Sequence, residues 1–250
     1  MIFYFSGTGN SEIIAQMVAE AIGDCAVNMV GSSPDLWNDE PGKVLGIVFP
    51  IYAYTAPEYV LEFAKQLKKQ SAFTIGICTY SNVAGDAMEH FSQAIPLDAA
   101  YGIRMPDNYP VLDHIIDTKE STIEKLQKAK LRFDSILPSI LALEKCWDVE
   151  KGENSWENTY IRAPMFNQVM RKTAPFYADE LLCLSCGLCE ELCPAKAIVL
   201  SNGIPAWVKE DCFMCMACIN RCPSAAIEFG PYSPGRFRYY FKGFEAEKYQ

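Results

Sequence analysis

Histidine is nearly absent from this sequence. His90 and His114 are the only two; neither stands in a motif, and no general acid–base pair can be singled out. Long apolar runs are missing too: no stretch approaches the roughly 18 residues of a spanning helix, and Met1 opens into Ile-Phe-Tyr-Phe without a charged leader. Positive charge is scarce, with 22 Lys and Arg against 31 Asp and Glu and a net charge of −9. That balance argues against nucleic acid or an anionic membrane surface as the main partner, since both need a basic footprint. A soluble, cytoplasmic protein without a membrane span is expected, with small molecules or proteins bearing basic patches as partners. Up to Cys146 there are 11 basic and 18 acidic residues, leaving 11 and 13 beyond it, so the acidity concentrates in the first part.

The 250 residues, half of them hydrophobic, suffice for one large domain or two smaller ones. Strand-like apolar runs recur at 1–5, 26–30, 43–51, 72–80 and 99–105. Helical stretches separate them: Ile13, Ile14, Met17, Val18, Ala21 and Ile22 mark one helix face, and 58–68 and 84–94 are further helices. A charged helix begins at Thr118, and Pro138 is expected to kink or end it. The expected fold class is α/β, with a doubly wound, five-stranded parallel sheet over residues 1–146. Residues 147–176 read as a linker with a short helix around 165–170, followed by a smaller α+β unit over 177–231 and a tail over 232–250.

Eight of the 11 cysteines fall within a 40-residue stretch. Cys183, Cys186, Cys189 and Cys193-Pro194 are repeated as Cys212, Cys215, Cys218 and Cys222-Pro223. At this spacing the cysteines are metal ligands rather than disulfides. Two four-cysteine zinc sites are one possibility; a third cysteine recurring at the same interval in both halves favours iron–sulfur. Each half resembles the C-x-x-C-x-x-C-x-x-x-C-P run of bacterial two-cluster ferredoxins, where the fourth cysteine ligates the other cluster. The resemblance implies one 4Fe-4S cluster on Cys183, Cys186, Cys189 and Cys222, and a second on Cys212, Cys215, Cys218 and Cys193. Gly187, Ala195, Ala217 and Ala225 let backbone approach the inorganic sulfurs. Cys25, Cys78 and Cys146 read as core thiols.

Ser6-Gly7-Thr8-Gly9-Asn10-Ser11 lies between the first strand and the first helix, where amides and helix dipole converge on an anion. A dinucleotide fingerprint needs a third glycine where Glu12 stands, and a Walker loop needs a lysine. What remains is a cradle for a phosphate monoester, or simply a capped glycine turn. The Ser-x-Thr-Gly-x-Ser pattern resembles the FMN phosphate site of flavodoxins, which implies Ser6, Thr8, Gly9, Asn10 and Ser11 as phosphate ligands. Two loops at the carboxyl ends of the third and fourth strands would then sandwich the flavin. Tyr52, Ala53 and Tyr54 come from the first, and Thr79, Tyr80, Ser81, Gly85 and Asp86 from the second; Tyr54 and Tyr80 are the stacking candidates. Asp86 could instead cap the next helix. The matching loop has Ala53 and Ala56 where many flavodoxins have a glycine beside flavin N5, so weak semiquinone stabilisation and two-electron behaviour are expected.

Together the two parts resemble flavodoxin–ferredoxin fusion proteins of anaerobic bacteria, the EFR-type ferredoxins. The resemblance implies FMN, two 4Fe-4S clusters and electron relay to or from a redox protein partner. Two other functions compete: an FMN oxidoreductase acting on a small-molecule electron acceptor of quinone or porphyrinogen type, and a ferredoxin docked to a domain that has lost FMN.

Overall fold

The apolar runs must be covered on both faces, and they are. In the computed structural model, which describes residues 1–70, 72–112 and 117–249, six strands form one parallel sheet. They are β1 (Ile2–Tyr4), β2 (Ala26–Asn28), β3 (Val44–Pro50), β4 (Phe73–Tyr80), β5 (Ala99–Arg104) and β6 (Trp147–Asp148). Their order is β2-β1-β3-β4-β5-β6, and the first five follow the flavodoxin-like arrangement. His114 falls outside the described residues.

Strand alternation sorts the core into two layers. Phe3, Phe5, Leu45, Ile47 and Phe49 face one side with Val60 and Phe63 of α3 (Glu58–Gln66), Met88 and Phe91 of α4 (Ala87–Phe91), and Trp37 of α2 (Asp35–Asn38). Ile2, Val48, Ile75, Ile77 and Ile103 face the other, under Ile14 and Val18 of α1 (Asn10–Ile22) and Leu126, Phe133 and Ile136 of α5 (Lys119–Leu141). Each such side chain contributes roughly 1.5–3 kcal/mol by leaving water. Gly23 ends α1 in a left-handed conformation, φ +68°, as its position after the last apolar residue requires.

Several boundaries differ from the sequence expectation for identifiable reasons. β6 adds a sixth strand at Ala100–Trp147 and Tyr101–Asp148; two residues are too few to carry a period. α4 begins at Ala87 rather than at 84, because Gly85 has φ +66°, outside the helical region. α5 continues one residue short of a turn past Pro138, to Leu141. The expected linker is largely ordered: α6 (Ser155–Glu157), a π-helical turn (Asn158–Arg162) and α7 (Ala163–Met170) run together.

Beyond it, β7 (Phe176–Ala178) pairs antiparallel with β10 (Ile227–Phe229), and β8 (Ile198–Ser201) with β9 (Ile204–Trp207). The short helices α8 (Leu188–Glu191) and α9 (Ala217–Asn220) follow the two cysteine loops. Among the described residues no helix is long and apolar enough to cross a membrane.

Candidate functional site

The internal repeat is visible in the backbone. Ser185 and Met214, Gly187 and Met216, and Lys196 and Ala225 occupy matching positions in the two halves, all with positive φ. Such turns aim successive amides inward, and the Ala197 and Ala226 amides donate to the Cys193 and Cys222 sulfurs, each at 3.3 Å. The fold gathers the cysteines into two cavities. One is lined by Cys183, Cys186, Cys189 and Cys222, the other by Cys193, Cys212, Cys215 and Cys218. Ala217 and Cys218 line both, so the cavities share a wall. Among the described residues no three His, Cys, Asp or Glu side chains converge tightly enough for one metal ion. Four thiols spread around a cavity suit a polynuclear cluster, whereas a mononuclear zinc site needs its ligands on a single tetrahedron.

The two cavities differ in exposure. Cys186 is exposed, and Leu184 on the wall of the same cavity is 65% accessible, whereas Cys193 and Cys215 are buried. Burial pushes the Cys212 thiol up to about 11 and the Cys215 thiol up to about 12. Loading a metal centre there therefore releases protons from these thiols.

At the carboxyl ends of the sheet strands lies a larger cavity of about 340 Å³. Ser6, Thr8, Asn10 and Ser11, with Tyr52, Ala53, Tyr54, Thr79, Tyr80 and Ser81, line it. Ser6 Oγ accepts from the Gly9 amide at 3.0 Å, Thr8 Oγ1 accepts from Asn108 Nδ2 at 2.8 Å, and Ser11 and Thr79 share one hydrogen bond at 2.8 Å. Each arrangement leaves a hydroxyl hydrogen unspent: one on Ser6, one on Thr8, one on the Ser11–Thr79 pair. The first turn of α1 adds amides with no intrahelical acceptor. Tyr52 and Tyr109 line the cavity, and their hydroxyls are buried behind it with no hydrogen-bond partner among the described residues. Donors left over at one end and the aromatic side chains Tyr52, Tyr54 and Tyr109 along the wall fit a ligand with a phosphate and a planar ring.

Some expected residues sit elsewhere. Gly9 turns away, and a β-carbon there would come within 2.9 Å of Phe241 Cβ. Gly85 packs under Tyr54, and Asp86 pairs with Lys151 at 3.2 Å instead of entering the cavity or capping α4 with its side chain. Tyr80 contributes to the wall, but its ring end lies over Gly102 of β5, so it is placed to pack and not to stack on a ligand. Asn10 Nδ2 donates to the Pro106 carbonyl at 3.0 Å, leaving one amide hydrogen for a ligand.

Other wall residues carry no signal in the two aromatic loops. Asp107, Asn108 and Tyr109 come from the loop after β5, Phe166 from α7 and Met214 from between two cysteines. The same rule that pointed to the loops after β3 and β4 points to the loop after β5, where Pro106-Asp107-Asn108-Tyr109-Pro110 stands.

Long-range bonds fasten the cavity. Ala53 and Tyr54 have φ +46° and +65° in a two-residue turn closed by Tyr52–Thr55 bonds of 2.9 and 3.2 Å. Asn-Gly is the usual choice for this turn, and each non-glycine residue here costs about 1–3 kcal/mol. Thr159, from the π-helical turn, holds the strained turn by donating to the Tyr54 carbonyl at 2.9 Å while accepting from the Asp86 amide at 2.9 Å. On one side of the 6–11 loop, a β-carbon on Gly7 would overlap the carbonyl oxygen of Cys215. On its other side the Phe241 amide donates to the Thr8 carbonyl at 2.7 Å.

Residues 182–227 match the 4Fe-4S dicluster domain family. The cysteine-rich unit is a 4Fe-4S dicluster domain. A 49-residue segment is 43% identical to an uncharacterized ferredoxin of Methanocaldococcus jannaschii, covering 19% of this chain and 32% of that protein. The chain thus spans about a third of the curated relative it matches. Among solved structures, a candidate flavoprotein of Bacteroides uniformis aligns with TM-score 0.34 at 18% identity, over 42% of this chain and 88% of the other. The rubredoxin oxygen:oxidoreductase of the anaerobe Desulfovibrio gigas aligns with TM-score 0.34 at 15% identity, over 56% of this chain and 36% of the other. The dicluster domain supplies one-electron transfer chemistry.

Proposed function

We propose that the protein relays electrons between two 4Fe-4S clusters and FMN, and exchanges them with a separate redox protein. Cys183, Cys186, Cys189 and Cys222 hold one cluster; Cys193, Cys212, Cys215 and Cys218 hold the other. The phosphate of FMN takes the hydroxyl hydrogens of Ser6, Thr8 and the Ser11–Thr79 pair, with Tyr52, Ala53, Tyr54 and Ser81 along the ring. Bound, the clusters exchange single electrons and the flavin up to two.

The observation that carries this reading is Met214, which lines both the large cavity and the buried cysteine cavity. Its polarizable thioether fills the gap between them. Tyr52 reinforces the junction: burial first, then the nearby Cys215 and Cys212 thiols, push its phenol well above the usual range. The shared Ala217–Cys218 wall then leads outward to the exposed cavity, so the order is external partner, outer cluster, inner cluster, flavin. Domain boundaries follow function here: 1–146 for the flavin, 177–231 for the clusters, with 147–176 and 232–250 tying the two together.

The test is an anaerobic preparation assayed for iron, labile sulfide and flavin, then reduced stepwise with dithionite. About eight irons and about one FMN per chain are expected, with electrons distributing over flavin and clusters. Replacement of Met214 by Ala should slow flavin–cluster equilibration after a flash of reductant while leaving cofactor content unchanged. Iron without flavin, or a flavin that stays oxidised while the clusters are reduced, would sink the relay. Rapid turnover of isolated quinones with no need of a protein donor would instead identify a small-molecule oxidoreductase.

A further inference from the structure

A second function of the large cavity is written in residues that the cofactor reading leaves idle. Asp107 lies on the cavity wall, and its Oδ1 accepts from the Tyr109 amide at 2.7 Å. Its backbone amide donates to Asp117 Oδ2 at 2.6 Å, which fixes the loop. Ser81 stands beside the Asp107 carboxylate, and Lys125 Nζ donates to Ser81 Oγ at 3.0 Å and to Asp117 Oδ2 at 2.9 Å. Lys125 belongs to α5, and its side chain is a quarter exposed. The Lys125–Ser81 hydrogen bond thus leads from solvent toward a carboxyl on the cavity wall.

The placement of Asp117 is itself built locally. Thr118 caps α5 by a reciprocal pair of bonds with Ser121, and the Ser121 hydroxyl donates to Asp117 Oδ1 at 2.8 Å. Asp117 is thereby pinned, and it holds Lys125 within reach of Ser81. The groups facing Asp107 are Asp117 ahead of the helix, Lys125 on it, Ser81 after β4 and Tyr109 on its own loop.

We propose that Asp107 is the proton donor and acceptor of this cavity, reloaded from solvent through the Ser81 hydroxyl, which Lys125 holds in place. The proposal rests on the reading that the cavity holds a flavin, whose two-electron reduction takes up a proton. When two electrons arrive, one from each cluster, the Asp107 O–H bond breaks and its proton forms an N–H bond on the ring. The carboxylate left behind takes the Ser81 hydroxyl proton, and Ser81 regains one from the acid of the solvent while Lys125 stays charged and holds the Ser81 oxygen. On reoxidation the ring proton returns to the carboxylate. Burial, opposed by the Tyr109 amide and the Ser81 hydroxyl, lifts the Asp107 carboxyl to about 6, so both of its forms are available near neutrality, as a proton carrier requires.

The experiment uses the full, cofactor-loaded chain under anaerobic conditions and three readouts: flavin content, the carboxyl C=O infrared band, and the pH profile and solvent isotope effect of flavin reduction. In the wild type a protonated-carboxyl band should titrate near pH 6 and be missing from Asp107→Asn. That variant should retain FMN but be reduced about 10²–10⁴-fold more slowly, the usual worth of a positioned acid, with partial rescue by added formate. Ser81→Ala should keep the band but slow repeated turnovers and change the isotope effect. FMN-loaded Asp107→Asn with the wild-type rate and pH profile overturns the proposal. So does a band that titrates at the ordinary aspartate value, whether or not flavin binds. A wild-type chain that takes up no flavin overturns the underlying reading instead. If Asp107→Asn fails to fold, Ser81→Ala decides: reloading at the wild-type rate and isotope effect rejects the route.

Discussion

The Tyr239 hydroxyl donates to Asn10 Oδ1 at 2.6 Å, across 229 residues of sequence. Both residues are buried, and the Tyr239 amide in turn donates to Asn220 Oδ1 at 2.9 Å, so one tail residue ties the phosphate loop to α9. Tyr239→Phe keeps the ring in place and leaves the Asn10 oxygen unpaired. A buried acceptor without its donor costs about 1–3 kcal/mol. Chemical denaturation should show that loss, with weaker FMN retention on dilution; a variant with wild-type stability and flavin retention would remove the tail from the site.

This bond also explains what sequence reading could and could not deliver. Five of the six sheet strands were legible as apolar runs, and β1, β3, β4 and β5 most clearly, because strands covered on both faces must be apolar throughout. The eight cysteines were legible because soft-ligand spacing is local. Thr159 and Tyr239 were not, since a hydroxyl that latches a loop more than 100 residues away has no local signature. Met214 stands between Cys212 and Cys215 in the sequence with no signal of its own; only the fold sets it against the loops after β3 and β5. Tyr80 read as a stacking ring because it follows an apolar strand, but with no side chain on Gly102 there is room for its ring over β5.

Gly7 is where the phosphate loop touches the inner cluster loop. A methyl at position 7 meets backbone, the Cys215 carbonyl, which cannot rotate aside. Overpacking of this kind costs about 1–3 kcal/mol, and the strain falls on the seam between flavin and cluster sites. Gly7→Ala should lower the melting temperature and slow flavin–cluster equilibration. Gly42→Ala is the control, since its new methyl meets the Trp37 ring at an ordinary 3.6 Å. Equal behaviour of the two variants would mean that the seam is loose in solution.

Crossed ligation makes a prediction that local ligation reverses. Cys222 lines the outer cavity with Cys183, Cys186 and Cys189, and Cys193 lines the inner one. Cys193→Ala should therefore impair the cluster beside Met214 and abolish rapid exchange with the flavin. Cys222→Ala should spare that exchange and impair the cluster beside the exposed Leu184. Iron content together with paramagnetic resonance of the reduced variants separates the cases, and the opposite assignment would show that each run of four cysteines closes on its own cluster.

The raised Asp107 carboxyl has a consequence for stability as well as for proton transfer. Its folded-state value of about 6 exceeds the ordinary 3.8, so between these values the folded chain binds more protons than the unfolded one, and stability falls as pH rises. Above about pH 6 the full cost is present, up to about 3 kcal/mol for a shift of this size. Asn at this position keeps an oxygen for the Tyr109 amide and never ionises. Asp107→Asn should therefore melt higher than the wild type at pH 8, and the gap should narrow below pH 6 and close near pH 4. Thermal melts of the two proteins across that range check the sign directly: a gap that widens toward acid would mean that the folded chain stabilises the charged carboxylate, leaving Asp107 no proton to give.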